Sequence, residues 1–194
     1  MNNMKYINSK GKNFTGELIL GQGNALSYVL VIPEEIESGK ELVVESLNLE
    51  GTNMIENIVP HVVKQLKDLV EVIDDVPILI PFTPDVRGGR PYYQQLSREC
   101  FEESENGEYK IQFPRIDLQI INAINDAKNR VMQITGQRVA EKIFLNGYSS
   151  SGVFAQRFAL IHPEIVGRAL IGGASGSIPV PTEEFDYPIR NKRF

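Results

Sequence analysis

Six consecutive residues carry the chemistry most legible in this chain: Gly147-Tyr148-Ser149-Ser150-Ser151-Gly152. They follow an apolar, strand-like run, Lys142 to Asn146, and precede a helix-like run from about Ser150 to Ile161 that stops before Pro163. A serine on a tight strand-to-helix turn can present its hydroxyl above a sheet as a nucleophile. The next backbone N–H opens the helix and can donate to a developing oxyanion. Such a turn needs small residues two before and two after the serine. Ser149 has Gly147 and Ser151 there. Ser150 would have Tyr148 before it, which is too large, and Ser151 would have the β-branched Val153 after it. Sterics therefore select Ser149 as nucleophile, with the N–H of Ser150 as oxyanion donor and Gly147, Tyr148, Ser151 and Gly152 as the backbone of the elbow. Ser151 in place of a second glycine is a departure from G-x-S-x-G. The competing reading is a Gly/Ser-rich loop that only caps the following helix. A second oxyanion donor is expected from the loop Asn48-Leu49-Glu50-Gly51, from Leu49 or Glu50, because it follows another strand-like run.

The elements that must position this turn alternate between strand and helix patterns. Glu17 to Leu20 and Ser27 to Ile32 read as strands joined by a hairpin turn at Gly21 to Asn24. Glu41 to Leu47 reads as a third strand. A helix from Asn53 places Ile55, Ile58, Val59, Val62, Leu66, Leu69 and Val70 on one face, with Pro60 predicting a kink or a later start. Pro77 to Pro81 is a wholly apolar strand of the kind buried on both faces. Thr83 to Pro91 reads as loop, Tyr92 to Cys100 as a short helix, and Glu102 to Glu108 as an acidic surface insertion. A long helix over Arg115 to Ile134 carries Ile116, Ile120, Ile124, Ala127 and Val131 on one stripe and ends at Gly136. Arg168 to Ile171 is one more strand. The expected fold is α/β: a mostly parallel sheet with helices on both faces and an antiparallel first pair. Residues 1–15 are expected to be a flexible lead-in to one domain spanning 1–194.

Bulk composition excludes several functions. Acidic residues outnumber basic ones, 25 to 20, giving a net charge of -5, and the basic cluster at Arg190 to Arg193 is short, so a nucleic-acid surface is not expected. The single cysteine, Cys100, permits no internal disulfide and suits a reducing cytoplasm. No signal peptide and no membrane span are read. Neither histidine has a partner at i+4, so no metal is expected and no cofactor is implied. Gly21-Gln22-Gly23 lacks the third glycine of a dinucleotide loop.

Ser149 to Pro163, with Val166 to Gly173, resembles the elbow, helix, His-Pro-Glu and next strand of the α/β-hydrolases, in particular the poly(3-hydroxybutyrate)-depolymerase-like and esterase branch. Pro81 to Pro84, Tyr92 to Leu96 and Arg115 to Gln119 resemble a bacterial subgroup of that superfamily. The resemblance runs from Ser27 to Pro188. It implies hydrolysis of a small ester or acyl substrate through an acyl-enzyme on Ser149, with a catalytic acid and then a histidine later in the chain. Here the pattern breaks. Only 19 residues follow Ser175, and both histidines, His61 and His162, precede it. Each is expected to serve surface or packing roles, Asp117 to be solvated or salt-bridged, and Asp186 to have no histidine to orient. The expectation is a hydrolase fold lacking its last strands, C-terminally incomplete, with little or no activity. Its alternatives are a non-catalytic module that holds a small acyl ligand and an assembly module that self-associates through the exposed edge of Arg168 to Ile171.

Overall fold

The computed structural model describes residues 3–21, 26–46, 55–73, 75–82, 96, 100–101 and 115–174, except the side chains of 55–61, 63 and 65. The expected turn residues 22–24, the loops 48–52 and 83–91, most of 92–100, the insertion 102–108 and the residues from 175 onward, Asp186 included, lie outside the described residues.

Among the described residues seven strands form one mixed sheet: β1 (Asn3–Ile7), β2 (Asn13–Ile19), β3 (Tyr28–Pro33), β4 (Val43–Ser46), β5 (Ile78–Pro81), β6 (Ile143–Tyr148) and β7 (Val166–Gly172), in the order β1-β2-β3-β5-β4-β6-β7. β1, β2 and β3 pair antiparallel, as does β3 with β5. β5, β4, β6 and β7 run parallel. Among the described residues three α-helices cover the faces: α1 (Ile55–Val72), α2 (Ile116–Thr135) and α3 (Ser150–Ile161). This is the α/β architecture expected from alternating periodicity.

The central strands are apolar on both faces because each face meets helices. Every residue of β3 and β5 is buried. On one face, Val62, Leu66 and Val70 of α1, one helical turn apart, pack against Val29, Val31, Val43, Ile78 and Ile80. On the other, the α2 stripe of Ile116, Ile120, Ile124, Ala127 and Val131 joins Phe154, Ala155 and Phe158 of α3 against Leu30, Val44, Leu79 and Leu145. Gly136, at φ 73°, ends α2 and returns its N–H to the Met132 carbonyl at 2.9 Å. α1 begins at Ile55, five residues ahead of Pro60, so the proline does not mark its start. No helix of the described residues is long and apolar enough to cross a membrane.

One expectation fails at the N-terminus. Instead of a flexible lead over 1–15, Asn3–Ile7 pairs with Asn13–Ile19, Tyr6 opposite Phe14, and both rings are buried against the α1 face. The buried Asn8 holds the turn between the two strands. Its Oδ1 accepts from the backbone N–H groups of Lys10 and Lys12, and its Nδ2 donates to the Val70 carbonyl of α1 at 3.1 Å. A side chain that closes an Asx turn and also anchors a helix end converts a polar stretch into an ordered hairpin.

β7 sits at the sheet's end among the described residues, and its apolar side chains from Ala169 to Ile171 are exposed, while Val166 packs on the core. Leu170 is 60% exposed and Ile171 38%, and successive strand residues point to opposite faces, so both faces are open.

Candidate active site

β6 feeds directly into α3 through Ser149, which is the N-cap residue of the helix at φ 60°, ψ -121°. Positive φ on a non-glycine residue costs about 1–3 kcal/mol and persists only where the surroundings impose it. Here they do so by close approach. A Cβ on Gly147 would lie 2.3 Å from the Ser151 carbonyl oxygen and 3.1 Å from Ala155 Cβ. A Cβ on Gly152 would lie 2.6 Å from the Gly172 carbonyl oxygen of β7. The chain can therefore reverse from strand into helix only with glycine at both places. The turn is then pinned by hydrogen bonds. Ser149 N–H donates to the Gly172 carbonyl at 2.8 Å, and Val153 N–H to the Ser149 carbonyl at 3.1 Å.

The three serines differ in what their hydroxyls do. Ser151 is buried, and its Oγ accepts from Tyr148 N–H at 3.0 Å and donates to the Tyr148 carbonyl at 2.9 Å, so it is consumed in closing the turn. Ser149 is exposed and makes no side-chain cap bond to its helix. A serine at an N-cap normally spends its oxygen on the N2 or N3 amide. That this one does not runs against the simple capping reading. The Ser150 N–H is among the first amides of a 12-residue helix, which have no helical carbonyl partner and carry the positive end of the helix dipole. Leu49 and Glu50 lie outside the described residues.

His162 closes the other end of α3. With 1.5 Å of rise per residue it stands about 20 Å from Ser149 along the helix, too far to act on its hydroxyl. It is buried instead. Its Nε2 lies 2.9 Å from Asp117 Oδ2, its Nδ1 3.3 Å from Glu164 Oε1, and its ring packs on Phe158 with centroids 4.9 Å apart. Asp117 is fully buried rather than solvated, and Arg115 chelates it through Nε (3.1 Å) and Nη2 (2.9 Å). Burial pushes the Asp117 carboxyl up, but the hydrogen bonds from His162 and Arg115 outweigh it and hold the group below its usual value. Asp117 and His162 therefore form a structural clasp between α2 and α3. His61 lies on α1, and its side chain is outside the described residues. No cluster of three or more potential metal ligands occurs among the described residues.

Sequence reading passed over one polar group beside the elbow: Glu45 of β4, whose carboxyl accepts from Asn146 Nδ2 at 2.5 Å. Burial pushes it up to about 7. The signal was present in Val43-Val44-Glu45-Ser46, an acidic residue inside an otherwise apolar strand.

No protein-family model matches the sequence, and no curated protein matches it. Solved structures do. Poly(aspartic acid) hydrolase-1 from Sphingomonas sp. KT-1 superimposes with a TM-score of 0.55 at 17% identity, over 89% of this chain and 60% of its own. Acetyl xylan esterase from Aspergillus awamori gives 0.50 at 18% identity, over 83% of this chain and 53% of its own. At that identity the likeness is one of fold. The chain has the α/β-hydrolase fold and spans little more than half the length of these two proteins.

Proposed function

We propose that this α/β-hydrolase-fold chain carries the nucleophile of a serine hydrolase acting on a small ester or acyl substrate. The observation that supports this reading best is the strained Ser149, held at φ 60° at the head of α3 with its hydroxyl unspent on capping. In the proposed reaction, Ser149 Oγ attacks the substrate carbonyl carbon. The C–O⁻ that forms takes a hydrogen bond from the Ser150 N–H and from a second amide in the loop at Leu49 or Glu50. Collapse breaks the bond to the leaving group, which departs with the proton that Ser149 Oγ gave up, and leaves an acyl ester on Ser149; water then hydrolyses it, releasing the acid and restoring the hydroxyl. The structural neighbours, one a hydrolase and one an esterase, support the same class.

Nothing among the described residues supplies a base near Ser149, since His162 is occupied at the far end of α3. Loss of a triad member typically costs about 10⁴- to 10⁶-fold in turnover. The 194-residue chain is therefore expected to be labelled slowly by a fluorophosphonate, with the modification on Ser149 by peptide mass spectrometry and absent in Ser149→Ala. Hydrolysis of p-nitrophenyl acetate should not exceed that of Ser149→Ala. Rapid Ser149-dependent hydrolysis would show that a base is in place and refute the weak-activity reading. Labelling that survives Ser149→Ala would remove Ser149 as the nucleophile.

The open β7 favours a second property, self-association. An apolar edge strand with one charged residue, Arg168, already paired with Glu41, has little to repel another edge. The chain should scatter light as a dimer or larger species, and Leu170→Lys should shift it to monomer. A monomer at tens of micromolar would count against this.

A further inference from the structure

Two polar side chains beneath the elbow have no part in the reaction proposed above. Glu45 and Asn146 are register partners across β4 and β6. Val43 and Phe144, one pleat earlier on the same strands, belong to the α1-side core, so alternation puts Glu45 and Asn146 on that face as well. The next pair toward the carboxyl ends is Ser46 with Gly147, and Ser149 follows two residues later.

The place is distinctive in the topology. β4 connects through α1 to β5 on one side of it, whereas β5 connects through α2 to β6 on the other side. α1 and α2 cover opposite faces. The strand order thus reverses between β4 and β6, and in open α/β sheets the crevice at such a reversal, beyond the carboxyl ends of the strands, is where ligands bind. The Glu45–Asn146 hydrogen bond spans that reversal.

Among the described residues its surroundings are apolar. β5 contributes Ile78 and Ile80 to this face, and α1 contributes Val62, Leu66 and Val70. The β7 partner of Asn146 is Leu170, and Arg168 lower on β7 is engaged by Glu41. A half-buried carboxyl hydrogen-bonded to one amide is a poor device for stability, because replacing both partners by apolar side chains of matching shape is often neutral or better. The strain at Ser149 supplies another use for it. Gly147, Ser151 and Ala155 constrain the turn from the α3 face. The Glu45–Asn146 bond constrains β6 from the opposite face, one residue before Gly147.

We infer that the Glu45–Asn146 pair is a positioning device for the elbow, tying the last pleat of β6 to β4 directly beneath Gly147. The kinetic readout of this inference rests on Ser149 being the nucleophile, so the test includes a second readout that does not. The full 194-residue chain is compared with Glu45→Gln, Glu45→Leu, Asn146→Leu and the double Leu variant. Each is measured by thermal melt, by hydrogen–deuterium exchange of the amides from Gly147 to Ser151, and by fluorophosphonate labelling. Gln keeps a carbonyl acceptor for Asn146 and should match wild type in all three. Each Leu variant should melt at or above the wild-type temperature, yet exchange at the elbow faster and label more slowly by roughly five- to tenfold, the value of one such hydrogen bond. The double variant should be no worse than either single one. The inference is overturned if Glu45→Leu exchanges like wild type at the elbow. It is equally overturned if Glu45→Gln is as impaired as Glu45→Leu, or if the Leu variants lose stability in proportion. Absence of labelling in wild type would count against Ser149 alone, and the exchange measurement would still decide the role of the pair.

Discussion

Gly147→Ala is expected to destabilise the fold by about 3 kcal/mol and to abolish labelling of Ser149, an effect far larger than most glycine-to-alanine changes at a strand end. The added methyl would sit 2.3 Å from the Ser151 carbonyl oxygen and 2.7 Å from its carbonyl carbon. Those are backbone atoms, and no rotamer change relieves the contact. Relief requires α3 to move off β6. That movement breaks the two bonds between Ser151 Oγ and Tyr148 and the bond from Ser149 N–H to Gly172, which together hold the positive φ. A relaxed Ser149 would turn its hydroxyl away from the Ser150 amide. Stability by urea titration and labelling by mass spectrometry should therefore fail together. A variant that melts like wild type and still labels on Ser149 would show that close packing at Gly147 does not define the turn.

The same contact shows what a sequence can announce. Gly147 and the small residue at 151 are readable because the steric demand of a tight turn falls two residues either side of Ser149, a local relation. The α2 stripe from Ile116 to Val131 is readable for the same reason, each residue recurring within one helical turn of the last. Relations between distant residues are not. Nothing near Asp117 in sequence indicates that a histidine 45 positions later will meet it, and Asp117 alone looks like an ordinary acidic residue in a helix's first turn. β1 escapes notice because Met4 and Tyr6 are its only inward apolar residues, and Asn8, which locks it, acts through α1 some 62 residues away. Arg168 to Ile171 reads as one more apolar strand, and β7 over Val166–Gly172 is exposed along most of its length. Periodicity reports what a strand could bury and is silent on whether a neighbour is there. Ser151 shows the converse. Its size could be judged from the sequence, but the use of its hydroxyl to bridge Tyr148 could be seen only in three dimensions.

His162→Ala should cost about 1.5–3 kcal/mol without any direct effect on Ser149 chemistry, because it strips one hydrogen bond from a fully buried carboxylate. Arg115 would remain, but it is partly exposed, and its N-cap backbone already sits at φ 48°. Its fork would stay on Asp117, with Nη2 on the same Oδ2 that His162 leaves, so the carboxylate keeps its cation but loses its only tie to the end of α3 among the described residues. The clasp also sets a pH dependence. The folded Asp117 carboxyl is held below its ordinary value, so the folded chain binds that proton less readily than the unfolded chain does. The stability it contributes is complete above about pH 5 and is lost as the pH falls through the folded value. Wild type should thus lose stability on acidification more steeply than Asp117→Asn, which has no proton to gain. Urea midpoints measured from pH 7 down to pH 3 should converge for the two proteins at the acidic end. If they stay parallel across that range, the Asp117 carboxylate is not what joins the two helices. A small loss in His162→Ala would lead to the same conclusion, and would place the stability of the α2–α3 contact in Phe154, Phe158 and Ile120 instead.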